Sequence, residues 1–133
     1  MKSKIDIKGL NSTLIDLEKI IGKRRLRSIV DKALIDGAKV IESYLKRNFQ
    51  DFKDTGQSIA EITVSKPETL NGKRTIRIHW KGPENRWRII HMNEYGTVKN
   101  PNPRGKGAIE RALRAGREQY FRTIEQEISR ALR

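Results

Sequence analysis

Asp54-Thr55-Gly56-Gln57-Ser58-Ile59-Ala60-Glu61-Ile62-Thr63-Val64-Ser65 decides the fold, because a helical spacing of apolar residues stops here and an alternating one starts. Ala60, Ile62 and Val64 fall on one side of an expected strand, with Glu61, Thr63 and Ser65 on the other. Further on, Ile76, Ile78 and Trp80 alternate with Thr75, Arg77 and His79, and the intervening Asn71-Gly72 is a hairpin signal. Two antiparallel strands follow. Past Gly82-Pro83, the mostly apolar and aromatic run from Trp87 to Tyr95 is expected to pair as another strand, so that the sheet region covers about 57–95.

Upstream of this stretch, Leu26, Ile29, Val30, Ala33, Leu34, Ile41, Tyr44 and Leu45 recur at a 3.6-residue period and predict a long helix over about 24–50. Such a helix is roughly 40 Å long at 1.5 Å per residue. Gly37 lies in the stripe, which suggests that another backbone packs close there. Before it, Asn11-Ser12-Thr13 offers capping oxygens to a short helix over about 13–21, carrying Leu14, Leu17, Ile20 and Ile21. Gly22 either ends or kinks it. Downstream, residues 96–107 hold Pro101, Pro103 and three glycines and predict an extended loop. Ile109, Ala112, Leu113, Gly116, Tyr120, Ile124, Ile128 and Leu132 then mark a C-terminal helix over 108–132, with Glu110 to Arg114 and Glu118 to Arg122 in the favourable i,i+4 order. The expected fold is a single α+β domain over 1–133: an antiparallel sheet of three to four strands packed against the long N-terminal helix and the C-terminal helix.

The 133 residues carry 29 Lys+Arg against 16 Asp+Glu, a formal net charge of +13. The excess is spread, +5 over residues 1–66 and +8 over 67–133, so no detachable tail holds it. A polyanion, duplex DNA above all, is therefore the first partner to weigh, through sequence-independent attraction to the phosphate backbone. Lys23, Arg24, Arg25 and Arg27 form the densest basic cluster and are the candidate DNA-facing residues. If the long helix starts there, four cations crowd its positive end and an anion would relieve them; if the helix runs through Gly22, the cluster is a solvated face.

Cysteine is absent from the chain, which excludes disulfides, thiolate metal sites and a thiol nucleophile. His79 and His91 are the only histidines and have no acidic cluster nearby, so no metal is expected. No Ser sits in a Gly-x-Ser-x-Gly elbow, neither dinucleotide nor P-loop glycine pattern occurs, and no cofactor or catalytic residue is expected. The amino-terminal residues lack the apolar core of a secretory leader, and no stretch approaches a membrane span of roughly 18 apolar residues, so a soluble chain without a membrane partner is expected.

Several features occur in a telling order: Gly9-Leu10 before a leucine-bearing first helix, a long second helix, and Asp54-Thr55-Gly56 followed by Ser58-Ile59. Glu94-Tyr95-Gly96-Thr97, a proline-containing loop and a helix opening with Ala108-Ile109-Glu110-Arg111-Ala112-Leu113 complete the set. Together they resemble the tail-completion or neck proteins of long-tailed bacteriophages. Where relatives commonly show a proline before the Thr-Gly, this chain has Asn48-Phe49-Gln50-Asp51-Phe52, and it is more basic than that family suggests. The resemblance implies a structural virion protein and no enzyme: a homo-oligomeric ring subunit joining the head connector to the tail tube. It would reside in the host cytoplasm before assembly and at the virion neck afterwards. Its expected partners are copies of itself, head-connector and tail-tube proteins, and packaged duplex DNA touched without sequence preference. The expected contact residues are Glu94, Tyr95, Gly96, Thr97, Lys99, Pro101, Pro103 and Arg104, with Tyr95 as a buried anchor. The alternative is a free, sequence-independent DNA-binding protein, suggested by the charge alone.

Overall fold

The computed structural model of the chain describes residues 16, 18–51 and 56–132. Helix α1 (Lys23–Gln50) is followed by a helical turn α2 (Gln57–Ala60) and four short strands, β1 (Ile62–Val64), β2 (Glu68–Leu70), β3 (Lys73–Thr75) and β4 (Ile78–Trp80). Helices α3 (Trp87–Tyr95) and α4 (Ala108–Ala131) complete the α+β fold. Asp16 and Glu18–Ile21 are also helical, as the short first helix required; Gly9-Leu10, the Asn11-Ser12-Thr13 cap, Leu14, Leu17 and Asp54-Thr55 lie outside the described residues.

The two long helices lie antiparallel and supply most of the core. Their stripes meet as the periodicity requires, with Leu26, Ala33, Ile41, Leu45 and Phe49 of α1 buried with Ile109, Ala112, Tyr120, Ile124 and Ile128 of α4. Lys32 to Glu127, Tyr44 to Gln119 (3.0 Å) and Asn48 Nδ2 to the Ala108 carbonyl (3.1 Å) tie them along their length. Gly37 does make room for close packing, but what fills it is an aromatic ring and not a backbone. A methyl group there would lie 2.8 Å from the ring of Tyr120, and the relation is reciprocal, since one at Gly116 would lie 2.9 Å from the ring of Tyr44.

The strands make one hairpin broken into two ladders. Ile62 pairs with Trp80 and Val64 with Ile78, whereas Glu68 pairs with Thr75 and Leu70 with Lys73 across the Asn71-Gly72 turn. Between the ladders three residues on one arm, Ser65 to Pro67, face two on the other, Ile76 and Arg77, which is a bulge of one residue. Ser65 bridges the break: its N–H donates to the Arg77 carbonyl and its hydroxyl accepts the Arg77 N–H, both at 2.8 Å. Pro67, which has no N–H to donate, sits where the ladder is already interrupted. The expected single sheet is thus two ribbons, and Ala60 belongs to the α2 turn, not to a strand. Arg74 anchors the outer ribbon to α1 through both carboxylate oxygens of Asp31, at 2.7 and 2.8 Å.

Trp87–Tyr95 is a helix, not the further strand that its composition suggested. The cause is tertiary. Buried Glu61, 2% exposed, accepts the backbone N–H groups of Glu84 and Arg86 at 3.0 Å each, which fixes the turn leading into α3. Trp80 braces the same corner by stacking on Phe49, with centroids 5.7 Å apart, and by donating its indole N–H to the Ser58 carbonyl at 2.8 Å.

Candidate partner-contact and polyanion surfaces

The segment singled out from the sequence divides in two at Glu94. Glu94 itself is 6% exposed, and its carboxylate accepts the N–H groups of Ile109 (2.8 Å) and Glu110 (3.1 Å) at the start of α4. Those N–H groups have no partner within their own helix, and Gly107, the residue before α4, has no side chain to cap them. The Glu94 carbonyl also accepts the Gly107 N–H at 2.9 Å, so the two ends of the 96–107 loop are clasped together. Glu94 therefore works inside the fold and presents nothing to a neighbour.

Tyr95, by contrast, points outward and is 67% exposed, which corrects its expected role as a buried anchor. Gly96 turns the chain at φ 81° and ψ 174°, and its Cα faces the Pro101 carbonyl so closely that no β-carbon fits. The loop is likewise not an extended arm. The Thr97 N–H bonds the Asn100 carbonyl (2.9 Å), the Asn100 N–H bonds the Thr97 hydroxyl (3.0 Å), and Lys106 Nζ reaches the Pro101 carbonyl (2.9 Å) and Asn102 Oδ1 (3.1 Å). Val98 stands fully exposed at its tip, Lys99 and Pro101 are exposed, and Pro103 is half-buried. Arg104 folds back to the Asp51 carbonyl at 3.0 Å. Trp87, 55% exposed, and Met92 join Tyr95 on the outer side of α3, interleaved with exposed Arg88 and His91.

At the other candidate surface, α1 begins at Lys23 because Gly22 adopts φ 89° and ψ 155°, a conformation essentially confined to glycine. Helical hydrogen bonds run up to Gly22 from one side and away from it on the other, so the helix does not continue through. Lys23, Arg24, Arg25 and Arg27 thus sit in the first turns of α1, all exposed, around the buried Leu26. No side chain caps this end and its first turn holds no acidic residue. Among the described residues, the ion pairs found on α1 and α4 involve other cations, namely Lys32, Lys39, Lys46, Arg74, Arg114, Arg122 and Arg130.

Glu61 is the buried acid that sequence reading missed. Burial pushes its carboxyl up, but the hydrogen bonds from the Arg86 N–H, Gln57 Nε2 and the Glu84 N–H outweigh that and hold it below its ordinary value. Among the described residues no group of three or more His, Asp or Glu side chains is placed to hold a metal ion, and no helix is long and apolar enough to cross a membrane. Compared with protein-family models, curated proteins and solved structures, the chain finds no match.

Proposed function

We propose that the chain is a structural virion protein of the neck or tail-completion type, a subunit of a homo-oligomeric ring that joins head connector to tail tube in a long-tailed bacteriophage. The observation that carries this reading is the Glu94-Tyr95-Gly96-Thr97 segment in its setting. One carboxylate is locked into the scaffold, while the adjacent ring and Val98 are held out in water by a closed loop. Exposed apolar groups contribute nothing to the stability of an isolated chain. Held rigidly, they lose little conformational freedom when a neighbour covers them. In a ring of identical subunits each contact joins two different patches, and a fixed projection suits one half of such a contact. The positive charge suits a conduit for duplex DNA, since attraction to the phosphate backbone ignores sequence and lets DNA slide.

Deleting the gene from the phage that carries it is expected to leave filled heads and separate tails. Wild-type protein supplied in trans restores joining, and Tyr95→Asp does not. Normal tailed, infectious particles from the deletion would end this reading. A free, sequence-independent DNA-binding protein is the second reading, favoured by the bare cationic start of α1. Salt-dependent retention of duplex DNA by the purified monomer at about 150 mM salt supports it, whereas binding lost well below that supports the ring subunit.

A further inference from the structure

A cleft of about 340 Å³ opens where the end of α1, the α2 turn, α3 and the 96–107 loop meet. Among the described residues its charged lining has one sign: Arg86 and Arg104 line it, and none of the described lining residues is acidic. A guanidinium carries five N–H donors in a planar fork. The fold uses few of them here. Arg86 gives Nε to the Ser58 hydroxyl at 2.8 Å, and Arg104 gives one N–H to the Asp51 carbonyl at 3.0 Å. These bonds tie each guanidinium to the wall and leave most of its donors open. Glu61 lies close enough for its charge to interact with Arg86, but its own oxygens are taken by Gln57 and by the backbone N–H groups of Glu84 and Arg86. Asn93 and Asn100 add neutral polar groups to the wall.

The remainder of the wall, with Phe49, Ile89 and Pro103, is apolar. A duplex phosphate backbone is broad and polar throughout, and an apolar-walled notch is a poor seat for it. An oxyanion on an apolar stem matches both halves of the lining. We propose that the cleft binds a carboxylate side chain, aspartate or glutamate with an apolar neighbour, presented by a segment of a partner protein and held by the forks of Arg86 and Arg104. Only the origin of that partner rests on the assembly reading. The test is therefore made on the isolated chain, so that a protein that binds the probe but builds no ring loses the ring and keeps the cleft.

The probe is the blocked tetrapeptide acetyl-Ala-Glu-Leu-Ala-amide, titrated while the side-chain N–H signals of Arg86, Arg104, Asn93 and Asn100 are followed by NMR. These signals are expected to shift together and saturate, with the glutamine version of the peptide and inorganic phosphate each weaker by about tenfold or more. Arg104→Gln should weaken binding by a similar factor while the backbone amide spectrum elsewhere stays in place. Arg104→Lys, which keeps the charge and loses the fork, should also bind more weakly than wild type, and Lys66→Gln, which removes a distant charge, should bind as wild type does. Equal binding of the glutamine peptide, phosphate binding as tight as the peptide, wild-type affinity in Arg104→Gln, or no shift at all would each overturn the proposal.

Discussion

The amino end of α4 and the amino end of α1 face the same electrostatic problem and meet it in opposite ways. Each exposes backbone N–H groups that the helix cannot satisfy and that carry partial positive charge. At α4 a buried carboxylate from the preceding part of the fold, Glu94, accepts two of those groups, from Ile109 and Glu110, and Glu61 does the like for the N–H groups of Glu84 and Arg86 in the turn that precedes α3. At α1 the first turn holds no acidic residue and, among the described residues, no side chain caps it, and Lys23, Arg24, Arg25 and Arg27 add positive charge to an end that is already positive. Acids brought from elsewhere in the chain thus build the interior of this fold, whereas the start of α1 has no acid in its first turn and is exposed.

The sharpest way to break that contrast is Glu94→Ala. It strips a buried pair of N–H groups of their acceptor, and urea denaturation should show a loss of about 3 kcal/mol or more, a large part of a small domain's stability. Unchanged stability would mean that α4 needs no acid at its start. Glu61 gives a pH-dependent version. Because its folded carboxyl titrates below the ordinary value of 4.5, the stability it contributes is complete above that pH and is lost as pH falls through the lowered folded value. Glu61→Gln should therefore be less stable than wild type at pH 7 and should lose less on acidification. Parallel acid-unfolding curves for the two proteins would remove Glu61 from this role. Gly22→Ala should cost about 1–2 kcal/mol, measured by thermal unfolding, because alanine resists the backbone conformation that starts α1. The smallest effect has the opposite sign. Arg25→Glu places a carboxylate in the first turn of α1 and should stabilise the fold by about 0.3–1 kcal/mol while weakening retention of duplex DNA. If it destabilises the fold instead, the cations at α1 are structural.

Much of the fold was legible because its signals are local. The 3.6-residue stripes locate α1 and α4, and Asn71-Gly72 locates the hairpin turn, where Asn71 adopts φ 52°. Three features were not local. Trp87–Tyr95 reads as a strand because Trp, Ile and Tyr favour sheets and nine residues barely display a helical period, while what fixes the turn into the helix is Glu61, 26 positions before Trp87. One sign was present, since Ile89, Ile90, Asn93 and Glu94 share one side of a helix and not of a strand. Glu94 and Tyr95 were assigned opposite surroundings from those they have, because an acid is exposed and a tyrosine buried unless a distant partner dictates otherwise, and here the start of α4 claims the acid. The bulge at Ser65 to Pro67 was hidden because alternation continues on both sides of it, although Pro67 marks a position that cannot pair.

Tyr120 against Gly37 and Tyr44 against Gly116 form two interlocks of opposite polarity, each helix giving one ring and one gap. Sliding α1 along α4 by a turn, about 5.4 Å, would push both rings at once onto positions that carry side chains. The pair is therefore keyed against axial shear, each ring seated where only a glycine leaves room for it.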